Sequence, residues 1–389
     1  MRVGLIAMSI LQNDPRPRRM VRWLQELADD VSFIGLKSDA AALNYEKKIK
    51  FYELRNSSKN IVQKVLMGFA LILGLFKYVE NRFTNLHVTL NDEHINLNRK
   101  FDVIVCSDLK LLPMAFNLLA KNGKIFFDAR EFYPRQYEDR FLWSISIRRF
   151  YIHLCSKYLK KIDTVFTVGK GLQKAYLDDF NINCEYLPGY AKKSTIEPRL
   201  NNNKPIKLVY HGNTNPSRGT DILIDIMDHL PQFYQLDLIL MTDYSDKWSK
   251  SIQKKASKKS NVKIRKPVPS NKLIEVGSEY DIGLVVCRPS NFNLRNGMPN
   301  KFFEYIQSKL CIVCGIQNEM GKYIEKYDMG INVGSNDPKV LADRIKSLNL
   351  KQINQHKMNV SNASKHINSE YTKQIFLNSL KNKILPIND

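Results

Sequence analysis

The chain of 389 residues is long enough for two domains, each with its own hydrophobic core. Its 43% hydrophobic and 25% charged residues exclude an intrinsically disordered protein. The formal net charge of +22 indicates an anionic partner: nucleic acid, a membrane surface or a phosphorylated substrate. The lysines are scattered, and no RNP signature, zinc-finger spacing or heptad-linked basic region occurs. We therefore expect no nucleic-acid partner and favour the other two.

Strand-like apolar runs alternate with helical patterns in the first half of the chain, which predicts a parallel α/β sheet. In chain order the predicted elements are strand Arg2–Met8, helix Pro17–Asp29, strand Val31–Leu36, strand Phe101–Ser107, helix Leu111–Ala120, strand Lys124–Phe127, helix Ser144–Lys160 and strand Thr164–Val168. The first ten residues contain no cleavage site for a signal peptide, so we expect a cytoplasmic protein.

The longest apolar run, Val65–Phe76, is too short to span a bilayer, which takes about 20 residues. It predicts either a buried helix, which we favour, or a helix lying in a membrane surface. The second interpretation is supported by the cations that flank the run, Lys64, Lys77 and Arg82.

A break in composition follows at Leu187–Lys204, which is rich in proline, glycine and asparagine and predicts a linker. A second alternating series then begins, with predicted elements at Ile206–Tyr210, Thr220–Leu230 (helix), Leu236–Met241, Val262–Ile264, Ile282–Val286 and Cys311–Gly315. The predicted organisation is a Rossmann-like domain over 1–187, a hinge over 188–204, a second Rossmann-like domain over 205–369 and a C-terminal helical segment over 370–389.

The cysteines show no metal or redox pattern. Cys311 and Cys314 form a C-x-x-C, but they lie in an apparent strand, where this spacing places the side chains on opposite faces. We interpret them as structural and predict no metal site.

The segment MPNKFFEYIQSKLCIVCG begins at Met298 and reads as a loop, a helix that starts after Pro299, and a buried strand. Lys301 and Glu304 lie three residues apart and share one helix face. A helix N-terminus with a lysine can hold a diphosphate, and the carboxylate can accept hydrogen bonds from sugar hydroxyls. The alternative is an ordinary amphipathic helix with a surface Lys–Glu pair.

The segment LVYHGNTNPSRGTDILIDIM reads as a strand, a glycine-containing loop and a helix, which presents backbone N–H groups to phosphate. Gly212 allows close approach of the backbone, and Arg218 offers a permanently charged fork for phosphate oxygens. The alternative is a plain turn before a helix. We interpret His211 as a histidine at the strand end rather than as a ligand contact.

Two polar segments follow strands of the first domain. Asp128, Arg130 and Glu131 come at the end of KIFFDARE, and strand ends of this kind point into the ligand crevice of open α/β sheets. Arg130 could meet an anionic sugar or phosphate, or the three side chains could pair with one another. Clustered arginines also begin the helix after Asp14, where the helix dipole disfavours cations unless an anion is bound.

These segments together resemble GT-B glycosyltransferases of the family-4 type over nearly the whole chain. "PNK-F-EY" is similar to the donor site of those enzymes. The resemblance implies that Glu304 binds ribose, that Lys301 lies near the phosphates, and that Asn300 and Phe302 are beside the nucleotide. Family members often carry Glu-x7-Glu, whose first glutamate contacts the donor sugar, and here Asn296 stands at that position.

The glycine loop of the family commonly carries two basic positions. Asn213 occupies the first and Arg218 the second, next to Gly212. The resemblance therefore implies a diphosphate clamp of Arg218 and Lys301.

The stretch DAREFYP resembles the family segment "YDAHE-x-x-P", with Arg130 in place of the histidine. This implies catalytic-site roles for Asp128, Arg130 and Glu131. The loop holding Asp14, Arg16 and Arg18 is similar to the "DPR" loop on the acceptor side.

The resemblance implies an α/β fold of two Rossmann-like domains facing a central cleft, with Glu370–Ile384 crossing back to the first domain. It implies sugar transfer from a nucleotide-diphosphate sugar to a glycan or lipid-linked acceptor in bacterial surface polysaccharide biosynthesis, with retention and without metal or other cofactor. Peripheral association with the anionic inner membrane surface fits the charge. No Asp-x-Asp pair, Walker loop or G-x-G-x-x-G fingerprint is present. The alternatives are a GT-B-like sugar-nucleotide epimerase and a non-catalytic polyanion-binding protein.

Overall fold

A computed structural model describes residues 1–37, 49–55, 61–84, 87–90 and 93–384, with the backbone alone for 61, 64, 84, 87–90, 93 and 94. The chain divides into two compact units, Met1–Pro188 with Lys373–Asp389, and Gly189–Thr372. Of the predicted C-terminal segment, residues 385–389 lie outside the described part.

The first unit alternates strands and helices, as its sequence predicts. Its elements are β1 (Arg2–Ile6), α1 (Pro15–Leu24), β2 (Asp30–Gly35), β3 (Lys50–Arg55), α2 (Ile61–Ile72), α3 (Phe76–Thr84), β4 (His87–Leu90), β5 (Glu93–His94), β6 (Phe101–Cys106), α4 (Leu112–Leu118), β7 (Leu119–Ala129), α5 (Phe141–Ile145), α6 (Ile147–Tyr158), β8 (Thr164–Thr167), α7 (Lys170–Phe180) and β9 (Glu185–Tyr186).

The sheet of the first unit has the strand order β5-β4-β3-β2-β1-β6-β7-β8-β9. β1 pairs in parallel with both β2 and β6, so the chain builds outward from β1 on one side and then returns to its other side. Ligands of open α/β sheets bind where the strand order reverses in this way. That point lies at the carboxyl ends of β1 and β6.

The second unit contains β10 (Ile206–Gly212), α8 (Thr220–Ile226), β11 (Tyr234–Leu240), α9 (Lys247–Ala256), β12 (Val262–Arg265), α10 (Leu273–Gly277), β13 (Ile282–Val285), α11 (Phe292–Asn296), α12 (Asn300–Gln307), β14 (Cys311–Cys314), α13 (Asn318–Tyr327), β15 (Gly330–Asn332), α14 (Pro338–Lys346) and α15 (Leu350–Ser364). A last helix, α16 (Ser369–Ile384), begins in this unit and continues into residues of the first. Its Phe376 and Leu380 are buried in the core of the first unit, with Phe376 5.7 Å from Trp23 between ring centroids.

The sheet of the second unit is parallel, with the order β12-β11-β10-β13-β14-β15. Its strand order reverses between β10 and β13, which places a second ligand crevice at their carboxyl ends. The predicted linker has no regular secondary structure, and residues beyond Pro188 attach to this unit. Ser194 N donates to Oε1 of Gln307 at 2.9 Å, and Asn201 N donates to Oδ1 of Asn354 at 2.9 Å.

Two predicted helices are interrupted. The stretch Ser144–Lys160 is divided at Ser146, which lies between α5 and α6 and donates its hydroxyl to the carbonyl of Leu142. This bond competes with the regular helical pattern. The apolar run Val65–Phe76 is divided at Gly74, whose φ of +75° ends a helix readily.

The expected burial of that apolar run is wrong. Among the described side chains of α2, only Ala70 is buried, and most of the others are exposed. The nearby core is already filled by α3 and α6, where Val79 and Phe150 are buried. α2 therefore lies on the outside of the unit although its sequence is apolar.

Candidate functional site

Gly212 and Lys301 meet at the reversal point of the second sheet. Gly212 ends β10 with φ +132°, a backbone conformation that side chains strongly disfavour. A Cβ atom at this position would lie 3.3 Å from Nζ of Lys301. Because Gly212 has no side chain, the side chain of Lys301 from α12 can lie close to the Gly212 backbone. The close approach of this backbone to a phosphate stays a prediction.

Lys301 has a cationic neighbour and forms no ion pair with the described residues. Its Nζ lies 3.5 Å from the ring centroid of Tyr210, a cation–π contact. Burial and the nearby positive charge of Arg218 lower the pKa of Lys301 well below its ordinary value. Within the described residues, neither Lys301 nor Arg218 pairs with a carboxylate. Glu304 supplies some negative charge nearby, but two adjacent cations without a direct ion pair favour the binding of an anion.

Glu304 lies one helical turn beyond Lys301. Its Oε2 is 3.2 Å from Nε2 of His211, which is buried and stacks on Tyr305 with ring centroids 4.9 Å apart. Burial and the charge of Lys301 lower the pKa of His211 to about 3. His211 is therefore neutral at physiological pH, and it lies against Glu304 as well as at a strand end.

The loop between β10 and α8 forms a 3₁₀ turn, Pro216–Arg218, followed by Gly219. Gly219 has φ +63°, and a Cβ there would lie 3.3 Å from the carbonyl oxygen of Val286. Asn213 is exposed, and its Oδ1 accepts from Asn215 N at 2.9 Å. The turn thus fixes the backbone that carries Arg218.

Three further residues that the sequence predicts at the nucleotide-sugar site are Asn296, Asn300 and Phe302. Asn296 ends α11, where its Nδ2 donates to the Phe292 carbonyl at 3.0 Å. Asn300 is exposed at the first position of α12. Phe302 is fully buried, with its ring 6.1 Å from that of Tyr323 between centroids, so it packs in the core rather than facing a ligand.

A cavity of about 630 Å³ lies beside this loop and was not anticipated from the sequence. Loops that follow three neighbouring strands, β10, β11 and β12, form its walls, and the indole N–H of Trp248 donates to the Thr214 carbonyl at its edge. The glycine loop after β10 supplies one wall, but no motif marks the loops after β11 and β12, because residues from distant segments meet only through the strand order. The lining residues are Asn213, Thr214, Asn215, Pro216, Met241, Thr242, Asp243, Asp246, Trp248 and Pro267.

In the first unit, Arg16 and Asp128 bind each other. Arg16 donates from Nε to Oδ2 of Asp128 at 2.8 Å and from Nη2 to Oδ1 at 2.6 Å, and it also donates to the Leu187 carbonyl at 3.0 Å. Arg16 is only 7% exposed and Asp128 is fully buried. A predicted acceptor residue and a predicted catalytic residue therefore form an internal ion pair.

Arg130 pairs with Asp14, at 2.8 Å between Nη1 and Oδ2. Asp14 also caps α1 by accepting from Arg16 N at 3.4 Å. Although burial opposes it, the carboxylates of Asp14 and Asp128 raise the pKa of Arg130. Asp128 and Arg130 are thus paired with Arg16 and Asp14 at the start of α1. They do not form an ion pair with each other, which was the alternative left open by the sequence.

The remaining first-unit candidates lie on the same loops. Arg18 donates from Nη1 to the Gln12 carbonyl at 3.2 Å, in addition to other contacts. Glu131 is half-buried, and its backbone carbonyl accepts from the Tyr176 hydroxyl at 2.8 Å.

Asp108 is a further polar residue at the reversal point of the first sheet, which the sequence reasoning missed. Its Oδ2 accepts from Met8 N at 2.6 Å, which joins the ends of β6 and β1. Burial raises the pKa of Asp108, and the charge of Arg130 opposes this rise. The available signal was its position directly after a buried strand, the same rule that selected Asp128.

Neither a metal-binding cluster nor a membrane-spanning helix is seen in the described ranges. In the described ranges, no group of three or more His, Cys, Asp or Glu side chains is arranged to hold a metal ion. No helix in those ranges is both long and apolar enough to cross a bilayer.

A known family covers most of the second unit. Residues 205–349, from the start of β10 to the end of α14, match the sequence model of the family Glycosyl transferases group 1. Residues 205–349 of the second unit therefore resemble a group 1 glycosyltransferase domain. The prediction of a glycosyltransferase is therefore confirmed. No curated protein matches the chain.

Solved structures resemble this glycosyltransferase over its whole length. Sucrose-phosphate synthase from Thermosynechococcus elongatus is similar with a TM-score of 0.71 and 12% identity, over 98% of each chain. HepE from Anabaena in complex with UDP and glucose has a TM-score of 0.68 and 10% identity, over 98% of this chain and 100% of its own. TarM from S. aureus, in complex with fondaparinux, alpha-GlcNAc-glycerol and UDP, has a TM-score of 0.67 and 10% identity, over 99% and 100%. The predicted fold class, two Rossmann-like α/β domains of the GT-B type, is confirmed.

Proposed function

We propose that this glycosyltransferase moves a sugar from a UDP-sugar to a glycan or lipid-linked acceptor. The observation that carries the proposal is that Arg218 and Lys301 lie close together without an ion pair to the described residues, with Glu304 one turn further along α12. The choice of uridine is supported by the similar structures of HepE and TarM, both of which contain UDP.

The proposed role of the two cations is to stabilise the leaving group. As the bond to the sugar breaks, negative charge develops on the diphosphate, and fixed positive groups lower the energy of that state. Nζ of Lys301 lies against the Gly212 backbone, at the start of α12, whose dipole also favours an anion. A bound diphosphate supplies the counter-charge that Lys301 and Arg218 lack in the described structure.

Glu304 is proposed to bind the ribose. A neutral His211 presents one ring nitrogen to Oε2 of Glu304, and the carboxylate retains capacity to accept from two ribose hydroxyls. Burial of His211 beside Tyr305 keeps this carboxylate in place, so the contact is prepared before the nucleotide binds.

The finer assignments rest on resemblance and charge. We propose retention of configuration, no metal, and a role in bacterial surface polysaccharide biosynthesis at the cytoplasmic face of the membrane. Asp14, Arg18, Arg130 and Glu131 are the proposed acceptor-side and catalytic residues. Arg16 and Asp128 are proposed to position them, because they are buried and bind each other.

The test is calorimetric titration of the whole chain with UDP, GDP, ADP and CMP. We expect UDP to bind best and Glu304→Ala to weaken it by about tenfold or more, which is about 1.4 kcal/mol. Glu275→Ala is the matched control, since this glutamate is exposed on α10 of the same unit and pairs with the exposed Lys272. If none of the nucleotides binds, the proposal is wrong and the non-catalytic polyanion-binding protein takes its place.

A further inference from the structure

α2 is an apolar helix on the outside of the first unit. An apolar helix is expected in a core or against another apolar phase, since water solvates its side chains poorly. Yet Phe69 is 59% exposed and Leu73, just beyond the helix, is 69% exposed. The exposed apolar residues from this segment form what we call the α2 face: Val62, Val65, Leu66, Phe69, Ile72, Leu73 and Leu75.

A second exposed apolar pair lies on α5. Phe141 and Leu142, on α5, are 75% and 72% exposed. α5 leads directly into α6, and Arg149 in the first turn of α6 donates to the Ile72 carbonyl at 3.0 Å. The end of α2 and the start of α6 are therefore adjacent, which places α5, the helix before α6, in the same part of the unit.

The charge around the α2 face is one-sided. Residues 141–161, which form α5, α6 and the turn after them, contain five Lys and Arg residues and no Asp or Glu. Arg148, Arg149 and Lys160 among them are exposed. The one acidic residue in 61–84 is Glu80, which is buried and binds Lys157 and the Tyr158 hydroxyl. The apolar face thus has a rim of cations and no exposed carboxylate on α2, α3, α5 or α6.

We propose that the α2 face docks the first unit on an anionic lipid bilayer, with α2 lying in the headgroup region and the cations of α6 at the lipid phosphates. An apolar face with a basic rim matches a surface that is apolar inside and negative outside. A second copy of this chain is a poorer occupant, because a two-fold contact brings like surfaces together and would oppose the two cationic rims. Docking would bring the enzyme to a lipid-linked acceptor, and in that respect the inference rests on the proposed function.

The test is co-sedimentation of the full chain with vesicles of phosphatidylglycerol and, separately, of phosphatidylcholine. We expect binding to phosphatidylglycerol that weakens as salt is raised. The double variant Phe69→Glu/Leu73→Glu should bind about tenfold or more weakly, since each buried apolar side chain contributes substantially. The matched control is Val340→Glu/Met358→Glu, which changes two exposed apolar residues of the second unit and should bind as the wild type does.

A charge variant separates insertion from simple attraction. Arg148→Glu should also weaken binding to phosphatidylglycerol. If it does so while Phe69→Glu/Leu73→Glu binds normally, only charge attracts the protein and the docking of α2 is wrong. Failure of the wild type to bind phosphatidylglycerol likewise overturns the proposal.

Sedimentation equilibrium tests whether a second copy of the chain, rather than a membrane, covers the α2 face. A wild-type dimer that dissociates in Phe69→Glu/Leu73→Glu, without vesicle binding, would assign the α2 face to self-association and overturn membrane docking. UDP titration of the same variants reports on the donor site in the other unit, so failure of the proposed function is recognised separately from failure of docking.

Discussion

Asp128 is bound at both carboxylate oxygens by Arg16, at 2.8 and 2.6 Å, in the interior of the first unit. The two residues are 112 positions apart in the chain, and each had been selected from the sequence as a site residue on its own. Their pairing means that neither is free to serve as a ligand or a proton acceptor without breaking the other's contact.

Asp128→Asn should therefore act mainly on stability. Removing one partner of a buried ion pair leaves the other charge uncompensated, which costs about 3–5 kcal/mol. Urea unfolding of the whole chain measures the loss. Asp178→Asn is the control, because Asp178 forms an exposed pair with Lys174 at 2.8 Å and such pairs contribute about 0–1 kcal/mol. An Asp128→Asn variant with unchanged stability and lost transfer would instead give Asp128 a direct catalytic role.

Lys301→Met should have opposite effects on stability and on binding. The ligand-free protein should become more stable, since the variant removes a poorly solvated charge and its repulsion with Arg218. UDP affinity should fall about tenfold or more, equivalent to 1.4 kcal/mol, while uridine binding changes little. Thermal unfolding measures the stability of the ligand-free protein, and calorimetry measures its affinities for UDP and uridine.

Lys326→Met is the matched control for Lys301, because Lys326 also lies over an aromatic ring, 5.0 Å from the centroid of Tyr327, but outside the site. Lys326→Met should change neither the stability of the ligand-free protein nor its affinity for UDP. Equal losses for UDP and uridine in Lys301→Met would remove this lysine from the phosphate contact.

Gly212→Ala should damage both the backbone and the lysine position. Its φ of +132° is strained for alanine, at a cost of about 1–3 kcal/mol, and the new Cβ would meet Nζ of Lys301 at 3.3 Å. Gly334→Ala is the control, since Gly334 also has a positive φ, +68°, but open space around it. We expect both variants to lose stability in thermal unfolding and only Gly212→Ala to lose UDP binding. Full UDP affinity in Gly212→Ala would contradict the close approach.

His211 should make the folded protein less stable as the pH falls below 6.5. Its folded pKa of about 3 lies below the unfolded value of 6.5, so the unfolded chain binds the extra proton as pH falls below 6.5. Relative to His211→Phe, which retains a ring against Tyr305, the wild type should lose about 2 kcal/mol between pH 7 and pH 5. Denaturant unfolding at both pH values checks this. A constant difference would mean that folding leaves the pKa of His211 unchanged.

The alternation of strands and helices, and hence the two α/β units, followed from the sequence because periodicity is local: each strand or helix is set by residues near one another in the chain. The same holds for the Lys301–Glu304 spacing on α12 and for the glycine loop before Arg218. Their arrangement in the structure agrees with those local patterns.

Other features were decided only by tertiary structure. The exposure of α2 depends on what surrounds the helix, which an apolar pattern does not specify. The partners of Asp128 and Arg130, the role of Asp108 and the cavity beside Asn213 depend on strand order. Parallel pairing brings the carboxyl ends of distant strands to one edge of a sheet, and only there do charges far apart in the chain find their partners.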